Sequence, residues 1–307
     1  MNAIRLYGHQ GLEQFIYENA PVPRPTSGEA LVRVHAAGVI RAELSWVPTW
    51  NTPVGTPRAL PIIPGHEFSG EIAALGMETT DFRVGDSVYG LIDWYCDGAQ
   101  AEYCVARVAD IAAKPGGIDH VSAAATPISA LTAWQGLIER GSIESGQRVL
   151  IHGAAGGVGA FAVQIARWRD AKVTATASSS NLDFVRSLGA TEVIDHDDIP
   201  FEEVARDMDL VFDTVGGATL QRSLRVLKPG GRLVTIVSGK NSNDERTRAA
   251  FFIVEPNRSQ LETITRLIDS GAISPIVGCV FPLAEARLAY QHRPIRGKVV
   301  LQVIAGK

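Results

Sequence analysis

Between Val149 and Gly159 an apolar stretch, Arg148-Val149-Leu150-Ile151-His152, runs into Gly153-Ala154-Ala155-Gly156-Gly157-Val158-Gly159, and the helical pattern Val158–Arg169 follows. A strand that turns through glycines into a helix leaves the N–H groups of the first helical turn unpaired beside the positive end of the helix dipole. Such an end binds phosphate. Placing Gly156 and Gly159 as the second and third glycines of the dinucleotide fingerprint puts Ala154 in the first position. Gly156 then lets the backbone approach a pyrophosphate, and Gly159 lets the helix close on the sheet. Ala155, Gly156, Gly157, Val158 and Gly159 are the expected cofactor contacts. A glycine run alone marks only a turn; set between an apolar strand and an apolar helix, it reads as a nucleotide site.

The flanking sequence supports that reading. Strand patterns at Lys172–Ala177, Val193-Ile194, Leu210–Phe212 and Arg232–Val237 alternate with helical ones such as Leu182–Leu188, which Gly189 ends. This alternation implies a parallel, doubly wound sheet. The first third is β-rich instead, with Ala30–Ala36, Phe68–Leu75 and Asp86–Ile92 as short strands. Val121–Ile138 reads as a helix or helix pair interrupted near Pro127. After Pro275 short strands return at Val277–Phe281 and Lys298–Ile304, around a helix at Leu283–Gln291. The simplest topology joins both chain ends in one domain, residues 1–122 with 273–307, and inserts a nucleotide domain at 123–272. A chain of 307 residues suits two domains.

Composition narrows the function. With 46% hydrophobic residues and a formal charge of −4, the chain reads as globular and shows no electrostatic footprint for nucleic acid or an anionic membrane. No run approaches the roughly 18 apolar residues of a membrane-spanning helix. Met1-Asn2-Ala3-Ile4-Arg5 lacks the basic and then apolar sections of a secretory signal. Cys96, Cys104 and Cys279 form no Cys-x-x-Cys pair, so they are expected to be ordinary thiols in a reducing cytoplasm.

The cofactor's second phosphate can also be read. An NAD site usually carries Asp or Glu about 20 residues beyond the glycines, bonded to the ribose hydroxyls. Here that place holds Thr176-Ala177-Ser178-Ser179-Ser180-Asn181, with no acid. Hydroxyls, an amide and backbone N–H groups can donate to a 2′-phosphate that a carboxylate would repel. NADP is therefore favoured over NAD. No Arg or Lys lies in this turn, which leaves Arg186 or His196 as the nearby cation. Ser179 and Ser180 are also suited to capping a helix.

Further blocks run along almost the whole chain: Pro64-Gly65-His66-Glu67-Phe68-Ser69-Gly70, Arg83–Gly90, Leu131-Thr132-Ala133-Trp134, Asp183–Ala190, Asp213-Thr214-Val215-Gly216-Gly217, Leu227–Gly231, Phe251–Pro256 and Gly297-Lys298-Val299-Val300-Leu301. With the glycine loop they resemble the medium-chain dehydrogenase/reductase superfamily, in its zinc-independent, NADP-dependent, quinone-oxidoreductase-like branch. The resemblance implies an α/β protein with a GroES-like β-rich domain and a Rossmann doubly wound domain, the active site lying between them. It implies that Thr132, Val215, Val237 and the backbone of Phe251, Phe252 and Ile253 line the nicotinamide end. Ala177, Ser178, Asn181 and His196 fall where NADPH-dependent members hold the adenosine phosphate. A protonated His196 would pair with that phosphate. A homodimer is implied as well.

Zinc dehydrogenases of this superfamily take thiolates where this chain has Ile40 and Ile128, so His66 and Glu67 are left as a poor tetrahedral site. No zinc is expected, and His66-Glu67 reads as a hydrogen-bonded turn beside the cleft. Without a Lewis acid the acceptor is polarised by hydrogen bonds alone, which suits quinones and α,β-unsaturated carbonyls. Ile40, Glu43, Trp46, Trp50 and Trp94 form the expected substrate cleft, where the aromatics either stack on a planar acceptor or pack between loops. Thr132 and Tyr95 are the catalytic candidates, Tyr95 as proton donor. The competing readings are a zinc-type alcohol dehydrogenase with an altered metal site and a non-catalytic NADPH-binding sensor or structural protein.

Overall fold

The computed structural model describes residues 1–9, 11–237 and 244–304. Its organising element is the strand Glu29–Val39, in which Ala30, Val32, Val34 and Ala36 are fully buried while Arg33 is exposed. That alternation is the period of a half-buried strand. Eleven residues long, it gives its first half to Tyr103–Arg107 and its last residues, Ala36–Val39, to the C-terminal strand Lys298–Gln302. Glu67–Leu75 pairs with it on the way, followed outward by Ser87–Leu91 and Ile111–Ala113. Val277–Pro282 lies beyond Lys298–Gln302, parallel to it. Strands from both chain ends thus share one seven-stranded sheet.

The second sheet has five strands, all parallel, in the spatial order Glu192–Asp195, Lys172–Ala177, Arg148–Ile151, Met208–Asp213, Leu227–Thr235. Val149, Leu150, Ile151, Val211 and Phe212 are fully buried, as strands covered on both faces require. The order reverses between Arg148–Ile151 and Met208–Asp213. At such a switch point the loops after the two strands diverge and leave a crevice for a ligand. Thr235 forms a single parallel bridge to Phe251, where a sixth strand would add.

Two expectations needed adjustment. The strand placed at Arg232–Val237 is Leu227–Thr235; a register shift between Met208 and Leu210 admits Pro229 and Gly230 at the sheet edge, where proline is tolerated. The boundary drawn at 122/123 falls inside the helix His120–Ala124, which packs on the β-rich sheet through Ala124. The helix Arg258–Asp269 had no forecast, although its signals are in the sequence. Asn257 caps it by accepting the Gln260 N–H, and Leu261, Ile264, Leu267 and Ile268 form its buried face. Among the described residues no helix is long and apolar enough to cross a membrane.

His152, at the end of the central parallel strand, is fully buried between Thr176 Oγ1 (3.1 Å from Nδ1) and Ser223 Oγ (3.1 Å from Nε2). Burial lowers its pKa to about 3. Because the folded value lies below the unfolded one, only the unfolded chain binds this proton as pH falls from about 6.5. The His152 contribution is therefore complete above that pH and declines below it, by about 1.4 kcal/mol per pH unit. Urea midpoints between pH 7 and 5 should fall more steeply for the wild type than for His152→Gln. Equal slopes would remove His152 as a source of acid sensitivity.

Candidate active site between the two lobes

At the switch point the glycines divide their work. Gly153 has a φ of +69°, and a Cβ there would lie 2.4 Å from Thr214 Oγ1. The sharp turn therefore belongs to Gly153, not to Ala154, which is buried and donates its N–H to the Thr176 carbonyl at 3.1 Å. Gly159 is needed for packing, since its Cβ would sit 2.2 Å from the Gly153 oxygen. Gly156 is exposed and caps the helix Gly157–Trp168 without a side-chain hydrogen bond, and its Cβ would meet nothing closer than 3.4 Å. This is an open cradle of backbone N–H groups that fits a pyrophosphate. Across the crevice the buried Asp213 carboxylate accepts from the Val215 and Gly216 N–H groups and from Thr235 Oγ1, which shapes the next loop. Burial raises the Asp213 pKa against the pull of these bonds. Val215 and Ile253 expose about half their surface, 53% and 52%, as walls of an open cleft would. Val237 packs beneath Gly216.

The turn Arg296-Gly297-Lys298 joins the two lobes at successive residues. Arg296 Nε donates to Asn181 Oδ1 (2.7 Å) and Nη2 to the Ser180 carbonyl (2.9 Å), while the guanidinium lies over Phe184. The Gly297 N–H donates to the Ala155 carbonyl at 2.9 Å. The stem of Lys298 lies against Gly157, where a Cβ would meet its Cδ at 2.8 Å. Its ammonium forms an ion pair with the fully buried Glu67. No local pattern points to Arg296, whose bond to Asn181 spans 115 residues. The cations considered from sequence are engaged elsewhere: Arg186 pairs with Asp183 at 2.7 Å, and His196 Nδ1 faces Asp197 at 3.1 Å. The His196 N–H does bond the Ala177 carbonyl at that turn, and Ser178 Oγ accepts from Asn181 at 3.0 Å. Asp195, on the neighbouring strand, accepts from the Asp197 N–H.

In the cleft, Glu67 and His66 are held by neighbouring protein groups. Glu67 Oε2 accepts the Ile128 N–H at 3.0 Å; burial raises the Glu67 pKa while Lys298 opposes the rise. His66 Nε2 lies 3.2 Å from the Cys96 carbonyl, and its Nδ1 is 3.5 Å from the buried Glu43, which accepts the Gly65 N–H. His66 Nδ1 is buried without a hydrogen-bond partner, yet isoleucine stands at 40 and 128, and among the described residues His66 and Glu67 belong to no group of three potential ligands, so they do not fit a catalytic zinc. Ile40, Trp46, Trp94 and Phe252 belong to one apolar cluster spanning the lobes. Trp46 meets Trp94 edge to face at 5.0 Å, and Trp94 Nε1 donates to the Val254 carbonyl at 3.0 Å. Gln135, in a wide π-type turn, holds the same segment by bonding both the N–H and the carbonyl of Glu255. Wide turns of this kind recur at functional sites.

Trp50 does not join this group. It is buried with Ile4, Leu6 and Ile62 and donates to the Leu44 carbonyl, so its role is packing. Thr132 Oγ1 donates to the Ile128 carbonyl at 2.5 Å, which leaves its oxygen only accepting capacity. Tyr95 is exposed, and among the described residues its hydroxyl joins none of these contacts.

Fold and cleft together define a two-lobed oxidoreductase of the nicotinamide type. Residues 26–118 match the family described as alcohol dehydrogenase GroES-like domain, and 188–301 the family described as zinc-binding dehydrogenase. A probable zinc-binding oxidoreductase, mitochondrial, from Arthroderma benhamiae is 33% identical across 92% of this chain and 91% of that protein. An NADPH-dependent alkenal/one oxidoreductase, chloroplastic, from Arabidopsis thaliana is 30% identical across 93% of this chain and 75% of its own length. The solved quinone oxidoreductase from Coxiella burnetii superposes with a TM-score of 0.89 at 27% identity, covering 99% of each chain. The chain belongs to the medium-chain dehydrogenase/reductase superfamily, with its quinone-oxidoreductase-like members.

The Lys298–Glu67 pair gives a direct test of what holds the buried floor of the β-rich lobe. Lys298→Met leaves a buried carboxylate without its cation and should cost about 3–5 kcal/mol. Adding Glu67→Gln to Lys298→Met should recover most of that loss, because the uncompensated charge is gone. Urea midpoints of the single and double variants measure it; a double variant as unstable as Lys298→Met would mean that the pair's charge is not what matters.

Proposed function

We propose that the protein is a zinc-independent, NADPH-dependent oxidoreductase that reduces a quinone or an α,β-unsaturated carbonyl. The observation that carries this reading is Arg296, docked on the acid-free turn Ser178–Asn181. The exposed guanidinium, the Ser178 hydroxyl and the local N–H groups form a pocket suited to a 2′-phosphate. Ala155–Gly159 hold the pyrophosphate, and Val215, Val237 and the backbone at Phe251–Ile253 line the nicotinamide end. The bound cofactor supplies the hydride. The chain's own residues orient the acceptor: Ile40, Trp46 and Trp94 offer an apolar, aromatic wall for a flat conjugated molecule. Thr132 fixes the neighbouring helix turn, and the unpaired Tyr95 hydroxyl is the proton donor in this reading. The lobes in this reading are 1–122 with 273–307 and 123–272, with the first junction moved past the helix His120–Ala124; cytoplasmic residence and a homodimer belong to the same proposal.

Oxidation of NADPH, followed by absorbance against a panel of quinones and enones, is the direct test. A folded protein that binds NADPH yet turns over none of them would be a sensor rather than an enzyme. For specificity, Arg296→Gln removes charge-assisted bonds worth about 1.5–3 kcal/mol, so KM for NADPH should rise roughly ten- to a hundredfold. KM for NADH should barely change. Ser178→Asp should act in the same direction by setting a carboxylate against the phosphate. Equal losses for both cofactors would show that the phosphate pocket lies elsewhere.

A further inference from the structure

Outside the cleft, three elements of the β-rich lobe each bring one residue to a compact cluster. His35 comes from Glu29–Val39, Glu71 from Glu67–Leu75, and His120 from the start of His120–Ala124. One potential donor atom from each lies within 4.8 Å of the other two. The His35 and His120 rings lie against each other, with centroids 4.1 Å apart and planes 32° apart. His35 Nε2 is 3.5 Å from Glu71 Oε2 and is buried without a hydrogen-bond partner.

A fourth residue sets the chemistry of His120. Ser69 Oγ donates its only proton to the Val88 carbonyl at 3.0 Å. At 2.8 Å from His120 Nδ1 the same oxygen then accepts, which assigns the His120 proton to Nδ1. The Nε2 lone pair is left free, the tautomer of a metal-bound imidazole whose other nitrogen is held by a protein oxygen. The orphaned His35 nitrogen is an observation independent of this assigned tautomer, and both point into the same cluster.

We propose that His35, Glu71 and His120 bind one zinc(II) ion, with water as the fourth ligand. Two imidazoles and a carboxylate without thiolate form a donor set that zinc accepts. Tetrahedral zinc with bonds of about 2.0 Å holds ligand atoms about 3.3 Å apart, so modest side-chain rotation closes the site. The ion is structural. It ties the helix on which the chain leaves the β-rich lobe to two strands of that lobe, above the buried Ala36, Ala124 and Val300. His66 and Glu67 take no part, so the proposal is separate from the reading of the cleft.

The test uses the full chain, stripped with chelator, dialysed against micromolar zinc and assayed for bound metal and thermal midpoint. The wild type should retain one zinc per chain and gain about 5 °C at a hundredfold excess over Kd. The His35→Gln/His120→Gln double variant should lose both effects, whereas His66→Gln should keep them. Ser69→Ala, with all three ligands intact, should weaken zinc binding about ten- to a hundredfold. Circular dichroism confirms that each variant is folded. The proposal is overturned if the folded wild type retains no zinc, if the double variant retains as much, or if His66→Gln is the variant that loses it.

Discussion

The structure depends on one short turn. Arg296, Gly297 and Lys298 leave the β-rich sheet at the point where Lys298–Gln302 pairs with Ala36–Val39, so their position is set by that ladder. From there they reach the ribose turn, the glycine loop and the floor of the cleft in three consecutive residues. Gly157 admits the Lys298 stem because it has no Cβ. The Lys298–Glu67 pair is buried, and burying two charges offsets most of their attraction. Its consequence is local to the β-rich sheet: a misplaced ammonium would leave Glu67 uncompensated. The link to the parallel-sheet lobe is carried by Arg296, bonded to Asn181 and Ser180, and by the Gly297 N–H on the Ala155 carbonyl.

That turn also bears on how a cleft of this family works with isoleucines at its metal positions. Glu67 has a cation and a backbone donor, and His66 has a carbonyl and a carboxylate beside it. The Glu67 charge is met within the protein, while His66 Nδ1 is buried without a hydrogen-bond partner. The Trp94 ring lies 5.2 Å from the His66 ring, and Ile40 and Trp46 pack against the same apolar cluster. Ile40 and Ile128 themselves offer a metal ion no ligand.

Much of the fold was legible because it rests on local pattern. Alternation marked the strand Glu29–Val39, and the apolar strand, glycines and apolar helix marked the strand–turn–helix at the switch point. Local pattern placed Ala154 at the first position of the fingerprint, but spacing cannot show which residue adopts a positive φ; Gly153 does. It grouped Trp50 with Trp46 and Trp94 by proximity in sequence, but Trp50 points its N–H at Leu44 inside the N-terminal core. Arg296 was out of reach for a different reason. Its partner Asn181 is on the other lobe, and no periodicity links residues brought together by domain docking. The same holds for Gln135, whose hold on Glu255 arises from a π-type turn that composition does not mark.

The edge of the parallel sheet shows how the fold makes room for chemistry. A sixth strand would saturate the backbone beyond Leu227–Thr235, but pairing stops after the Thr235–Phe251 bridge and the Phe252 N–H bond to Thr235. The chain then leaves the sheet as an extended segment toward the cleft. Such a segment would be mobile without other partners, since a lone bridge fixes little. Trp94 from one lobe and Gln135 from the other replace the missing ladder by bonding Val254 and Glu255. Phe252 is buried as an anchor while Ile253 stays half exposed. A backbone held at both sides but unpaired along its length can meet a flat ring without first breaking a sheet. Because Trp94 belongs to the aromatic wall, the groups that hold this backbone also shape the space facing it.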